Sequence, residues 1–408
     1  MTPPSPASPD TSAPSPSPSK RRRWLRRIGL ALAALAGLFA VFAAVLAALA
    51  WEGMGAAPRG ERLAAMQASP QWDGRRFENP QPMHNDMIGA MLEGFSASDE
   101  AVPDGPVPTR SVDPARFDTP PASDLRVTWL GHSIVLIEIE GVTLLTDPVW
   151  GPRTAPISWL GPKRWTPPLI ALDDLPPVDA VLISHDHYDH LDHVTIKQIA
   201  DWDTTFIVPL GVGAHLESWG VPAECICDVD WWDEVEFGDV TVTAVPSRHA
   251  SGRHLLDQMR TLWCGYAIRG AERSALFSGD TGLFPGLTEV GERLGPFDVT
   301  MFEVGAYARS WPDWHLGPEQ ALRAHEMVGG DVFLPIHWGL FDLSFHSWTE
   351  PIERVLVEAE RLDIPVATPM PGESFEPATV APPTRWWPET DWRTVDEYPI
   401  EASGVPPR

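Results

Sequence analysis

Three histidines and two aspartates fall within six residues in Ser184-His185-Asp186-His187-Tyr188-Asp189-His190, directly after the apolar run Val178 to Ile183. Imidazole nitrogens and carboxylate oxygens suit a borderline cation such as Zn²⁺. An apolar run of this length reads as a buried strand, and a loop leaving its end can converge several ligands on a small volume. A His-x-His pair followed by Asp-His cannot readily surround one ion, so two adjacent metals are expected.

Two metals need more ligands, and other strand ends offer them. His249 follows the run Val240 to Val245, Asp280 follows Ala275 to Phe277 in Ser278-Gly279-Asp280-Thr281, and His337 follows Val332 to Ile336. A single His or Asp after a strand is more often a turn or surface residue. Together with the first segment the three support one another. Asp147, before Pro148, could orient a ligand histidine through its second nitrogen or simply cap a turn. His132 follows a strand end and could approach the site, but reads first as a satisfied buried histidine, and Tyr188 as packing or a substrate contact. His193, His215, His254, His325 and His346 have no spacing that calls for a metal. The three cysteines, Cys225, Cys227 and Cys264, form no disulfide framework and read as small buried apolar residues.

The elements that must position these groups are short β-type runs: 126–130, 133–139, 142–146, 180–183, 205–208, 240–245, 263–268, 274–278, 299–302 and 332–336. Helix-like stretches are fewer, at 194–200, 318–327 and 351–361. Pro318 suits a first helical turn, and Glu319 there complements the helix dipole. Strand-rich halves with interspersed helices fit two packed sheets covered by helices. Residues 52–123 are rich in Pro, Gly, Asp and Ser and read as a linker and irregular arm without chemistry, 124–373 as the catalytic domain, and 374–408 as a Pro- and Trp-rich tail.

Residues 1–27 open with a Pro/Ser-rich stretch too poor in apolar surface to order itself, which reads as disordered, and end in the basic cluster Lys20, Arg21, Arg22, Arg23, Arg26 and Arg27. The uncharged run 28–51 is long enough to cross a bilayer as a helix. It reads as a membrane anchor, with an export signal removed by cleavage as the alternative. The positive-inside rule then places everything after Trp51 on the non-cytoplasmic side. Six basic residues and one acidic residue precede Trp51, so the remainder carries 24 Lys and Arg against 55 Asp and Glu, a net charge of −31. A surface that acidic repels phosphate backbones and excludes nucleic acid as a partner.

The pattern His185-x-His187-x-Asp189-His190, with His249, Asp280 and His337, resembles the metallo-β-lactamase superfamily from about Thr128 to Glu373. Further stretches are similar to the N-acylphosphatidylethanolamine-hydrolysing phospholipases D: Thr128-Trp129-Leu130-Gly131-His132, Leu145-Thr146-Asp147-Pro148, Gly161-Pro162-Lys163-Arg164, 175–184, and Ile336-His337-Trp338-Gly339. The resemblance implies an α/β fold, a four-layer αββα sandwich. It implies one zinc on His185, His187 and His249, a second on Asp189, His190 and His337, and Asp280 bridging them, with iron or manganese as other occupants. Asp189, Asp280 and His315, the last resembling a pocket-lining histidine, are then the catalytic candidates. The implied reaction is hydrolysis of a phospholipid or small phosphodiester, water activated by the metals attacking phosphorus. A lactone or ester hydrolase of the same fold is the enzymatic alternative. A metal-stapled envelope protein is the non-enzymatic one, disfavoured because structural zinc is normally closed and tetrahedral. Several of the nineteen tryptophans, among them Trp150, Trp159, Trp165, Trp231, Trp232, Trp311 and Trp314, could rim an acyl-chain site, although core packing explains most of them.

Overall fold

The computed structural model describes residues 18–405. The disorder expected of the first residues falls mainly on 1–17, outside the described part. The chain divides into two units, Met1–Trp51 and Glu52–Arg408. In the first, α1 (Pro18–Ala50) is the single described helix long and apolar enough to cross a membrane.

The second unit contains two sheets. In one, strands run in the order β13-β1-β2-β3-β4-β5-β6: β1 Leu125–Trp129, β2 Val135–Ile139, β3 Val142–Thr146, β4 Ala180–Leu182, β5 Thr205–Pro209, β6 Ile226–Val229 and β13 Ser374–Phe375. In the other the order is β12-β11-β10-β9-β8-β7: β7 Glu234–Phe237, β8 Val240–Val245, β9 Gly265–Arg269, β10 Ser274–Phe277, β11 Phe297–Glu303 and β12 Gly330–Ile336. Side chains alternate across each strand, so both faces of the first sheet are buried by different partners. Val135, Ile137, Leu144 and Leu182 point to the core shared with Val242, Phe277 and Val299 of the second sheet. Leu136, Leu145 and Val181 point the other way, onto Ile196 and Ile199 of α4 (His193–Ile199) and Leu216 of α5 (Gly213–Ser218). The second sheet is covered by α6 (Gly286–Leu294), α7 (Pro318–Val328) and α8 (Glu350–Leu362), whose Val290, Leu322, Ile352 and Val355 enter the same core. The result is the expected αββα sandwich.

The expected runs match their strands to within a few residues, and β6, β7 and β13 add to them. The boundaries at 123 and 373 fall inside the unit. Arm residues Met66 and Phe77 form a small core with Leu210, Leu262 and Trp263. The arm also contains α2 (Gly60–Ala68) and α3 (Met87–Gly94), and β13 of the tail pairs with β1. Pro318 occupies the first turn of α7 as expected, and Glu319 beside it accepts two hydrogen bonds from Arg354, at 2.9 and 2.7 Å, which ties α7 to α8.

Candidate metal centre

Every candidate ligand leaves the carboxyl end of a strand, where α/β sheets place their ligands. In the first sheet β3 and β4 are parallel with Thr146 opposite Leu182, so Asp147 and the segment beginning at Ser184 emerge side by side. In the second, β10, β11 and β12 are parallel neighbours, which lines up Asp280, Glu303 and His337 along one edge. The turns are tight. His132, Asp147 and His337 all have positive φ (53°, 37° and 65°), a costly conformation for residues bearing a Cβ and one that concentrates at functional sites. Gly279 (φ 55°) is required, because a Cβ there would stand 2.5 Å from that of Ser184.

The seven expected ligands converge in two overlapping groups. His185 Nε2 lies 2.9 Å and His249 Nε2 3.3 Å from His187 Nδ1. His190 Nε2 and His337 Nε2 each lie 3.4 Å from Asp189 Oδ2 and 3.2 Å from each other. Asp280 Oδ2 faces both groups, at 3.8 Å from His185, 3.6 Å from His249, and 3.2 Å from both His190 and His337.

Hydrogen bonds on the outer side of the rings fix which nitrogen looks inward. His249 Nδ1 donates to the Trp314 carbonyl at 2.8 Å, and His190 Nδ1 to Asp147 at 2.7 Å. Asp147 also accepts Ser184 N (2.7 Å) and Oγ (2.6 Å), which leaves the Ser184 oxygen to accept His185 Nδ1 at 2.9 Å. Each of these inner Nε2 atoms therefore presents a lone pair to the centre, the arrangement that metal-bound imidazoles use.

This donor set fits cations. Nitrogen lone pairs facing one another across about 3 Å gain nothing without a positive centre between them, and Asp280 Oδ1 is buried with no hydrogen-bond partner. The electrostatics agree. Burial opposes charge on Asp280, yet the neighbouring His190 and His337 imidazoles hold its carboxyl well below the usual range. Burial likewise opposes charge on His337, but Asp280 and Asp189 outweigh it and push the ring up to about 10. The buried carboxylates facing the His190 and His337 rings make the centre a negative field that favours positive charge there.

Around the ligands the structure adds groups that sequence reasoning passed over. Glu303, fully buried at the end of β11, accepts Thr281 N at 2.5 Å and holds His315 Nδ1 at 2.6 Å. Burial with Asp280 beside it raises the Glu303 carboxyl well above its ordinary value, and burial pushes His315 down to about 4. A lone charge inside the apolar run 299–304 was the available signal. His315 lies 3.7 Å from Asp280 Oδ2 and keeps some exposure, so it borders the centre. His132 is buried as expected, but against the site, with Nε2 3.1 Å from Asp189 and its ring centroid 4.1 Å from that of His337. Asn79 has no local signal at all, yet it brackets His249, donating to its carbonyl at 2.6 Å and accepting its N–H at 3.0 Å. The arm therefore does bear on the centre, contrary to the expectation that it carries no chemistry.

The remaining candidates lie elsewhere. Tyr188 donates to the Arg253 carbonyl at 2.7 Å beneath that residue's guanidinium, a packing role. Cys264 is buried as expected, whereas Cys225 and Cys227 are only half-buried, and all three are free. Of the seven tryptophans named as a possible rim, Trp159 alone is exposed.

Comparison with known proteins agrees with this geometry. The profile of the beta-lactamase superfamily domain matches residues 143–338. An uncharacterized protein of Mycobacterium tuberculosis is 46% identical over 70% of this chain and 77% of its own length. The N-acyl-phosphatidylethanolamine-hydrolyzing phospholipase D 1 of Caenorhabditis elegans is 34% identical over 71% of this chain and 87% of its own. A metal-dependent hydrolase of Methanopyrus kandleri is 30% identical over 62% of this chain and all of its own. The solved isothiocyanate hydrolase from Delia radicum gut bacteria superposes with a TM-score of 0.50 at 20% identity, over 62% of this chain and 98% of that one, a likeness of fold alone. At 30 to 46% identity to such relatives over most of their length, the chain belongs to the metallo-β-lactamase superfamily, as a metal-dependent hydrolase related to the N-acylphosphatidylethanolamine-hydrolysing phospholipases D.

Proposed function

We propose that this protein is a dinuclear zinc phosphodiesterase of phospholipase D type, acting on N-acylphosphatidylethanolamine or a related phospholipid. The observation that carries the dinuclear reading is the Asp280 carboxylate, one oxygen of which faces Nε2 atoms of both ligand groups at 3.2 to 3.8 Å. The substrate class is taken from the Caenorhabditis elegans relative, whose name assigns it that lipid.

His185, His187 and His249 would hold one ion, Asp189, His190 and His337 the other, with Asp280 between them. Bound there, two zinc ions would supply Lewis acidity to a phosphoryl oxygen and lower the pKa of a nearby water toward about 7. The chain's own groups do the positioning. Asp147 and the Trp314 carbonyl keep His190 and His249 in their ligating tautomers. Glu303 pins Nδ1 of His315, which leaves Nε2 for a substrate oxygen. In the overall reaction a water oxygen bonds to phosphorus and the phosphorus–oxygen bond to the head-group alcohol breaks. That alcohol takes up a proton, and phosphatidic acid is the other product.

The run of six basic residues before Ile28 orients α1 with its N-terminus in the cytoplasm, so the catalytic unit faces the other side of the membrane.

Metal content measured alongside hydrolysis of bis(p-nitrophenyl) phosphate tests the reading, followed by mass spectrometry of a lipid panel. Two zinc ions per chain and release of phosphatidic acid are expected. Cleavage of lactones or carboxylic esters in place of phosphodiesters would establish the ester hydrolase instead, and metal without turnover the structural staple. Iron or manganese in the native protein would correct the identity of the metal.

A further inference from the structure

Ser403, in the C-terminal tail, is exposed, yet each of its polar atoms turns inward. Its N–H and hydroxyl donate to the two oxygens of Asp313 at 2.7 and 2.5 Å. Its carbonyl accepts Arg248 Nη1 at 3.2 Å, and its Oγ accepts Arg248 Nη2 at 3.0 Å. Asp313 and Arg248 are both fully buried and pair at 2.9 Å. A buried ion pair is stable only while its remaining lone pairs and N–H groups are satisfied. Here one tail serine supplies two hydrogen bonds to the carboxylate, beside the one that His84 N donates at 2.7 Å.

Both members of the pair stand next to groups of the metal centre. Arg248 precedes His249, and Asp313 opens the segment Asp313-Trp314-His315, in which the Trp314 carbonyl accepts His249 Nδ1 and the His315 ring borders Asp280. The Asp313 backbone also abuts the turn that follows Asp280. A Cβ on Gly282 would stand 1.9 Å from the Asp313 carbonyl oxygen, so only glycine lets the two loops lie this close.

The same tail grips the flanks of this segment. Upstream, Arg309 N donates to the Tyr398 hydroxyl at 3.2 Å. Downstream, the Ile400 carbonyl accepts Gln320 Nε2 at 2.9 Å, and Gln320 Oε1 in turn accepts Gly317 N at 3.0 Å. Tyr398 and Ile400 pack with Tyr307 in a small apolar cluster of their own. No helix or strand spans residues 304–317, between β11 and α7, so the position of this stretch rests on contacts such as these and not on a ladder of its own.

We infer that tail residues 397–403 are a strap that positions His315: Ser403, through Asp313, sets where the imidazole stands beside the metal centre, so that its Nε2 meets the substrate oxygen. Ser403 and Asp313 act through His315 as positioning residues, and the tail is thereby part of the catalytic apparatus. The inference deepens the phosphodiesterase reading, on which the role of His315 Nε2 rests.

The test uses the full chain in detergent micelles with zinc in excess and bis(p-nitrophenyl) phosphate as substrate. Ser403→Ala keeps the tail and removes one donor; kcat should fall about fivefold with KM within about twofold. Ending the chain after Pro399 removes the anchor of the strap and should lower kcat about a hundredfold. In a His315→Ala background each change should cost no more than about twofold, because the strap then has nothing left to position. Amide hydrogen exchange of the zinc-free chain reads the same hold without turnover: exchange at 309–317 should quicken at least about tenfold in the shortened chain, with 185–190 unchanged from the zinc-free parent. If circular dichroism shows that the shortened chain does not fold, Ser403→Ala carries both comparisons, with a smaller quickening. Losses of equal size with and without His315, or exchange at 309–317 no faster than in the parent, would overturn the strap. Quickened exchange at 309–317 together with full turnover of His315→Ala would uphold the tail's hold on the loop and remove His315 from the phosphodiesterase reading.

Discussion

The two sheets deliver their halves of the metal centre by different means. From the first, four groups leave the end of one short strand within the six residues His185 to His190, and one buried carboxylate, Asp147, holds the base of that loop through Ser184 N, Ser184 Oγ and His190 Nδ1. From the second, His249, Asp280 and His337 leave three different strands, and each has its own support or none. Asn79 and the Trp314 carbonyl hold His249, the Gly279 turn places Asp280, and His337 Nδ1 has no hydrogen-bond partner. The difference teaches where damage should spread. Disturbing the shared support of the loop reaches residues of both ligand groups, whereas disturbing a support in the second sheet reaches one.

Asp280, although it comes from the second sheet, faces both ligand groups, and its loss is the largest effect expected. Asp280→Asn should lower turnover at least about a thousand-fold and reduce metal content, while circular dichroism and the unfolding midpoint stay close to those of the parent. Full activity in that variant would refute the bridging assignment.

Asp147→Ala comes next. Removing an orienting carboxylate beside a ligand histidine costs about 10- to 100-fold in metal affinity. Here both metals should weaken together, because Ser184 links Asp147 to His185 as well as to His190. Chelator competition followed by metal analysis reads this directly, and loss of one metal alone would break the contrast between the halves.

Asn79→Ala sharpens it from the other side. Only the metal assigned to His249 should weaken, by about tenfold, with the second retained. Equal weakening of both would show that the second sheet is coupled as tightly as the loop.

The smallest effect on the metal centre, none, comes from a change away from it, on the helical cover of the second sheet. Burial pushes His325 down to about 4 from its ordinary 6.5, so the folded state keeps it neutral while the unfolded chain protonates first as pH falls. Stability from this residue is complete above about pH 6.5 and is lost on descending toward pH 4, by about 3 kcal/mol. Urea unfolding across that range should show the slope, and His325→Gln should flatten it. An unchanged slope would place the acid sensitivity in the metal centre.

The contiguous cluster His185 to His190 was legible because ligand spacing within one loop is a local property, and the apolar runs β3, β8 and β12 were legible because buried strands are continuous in sequence. β7 was not, since its half-exposed Glu-Val-Glu-Phe lacks an apolar run, and the two-residue β13 exists only through its pairing with β1. Glu303 left a readable trace as a charge closing a buried strand, whereas Asn79 left none, its role arising from a contact 170 residues away. The sequence by itself determined which residue types were available for metal chemistry and that each stood at the end of a strand. Only the tertiary structure decided that those ends meet. That depends on parallel register within each sheet and on the packing of one sheet against the other, both set by contacts between residues far apart in the chain, which no local pattern encodes.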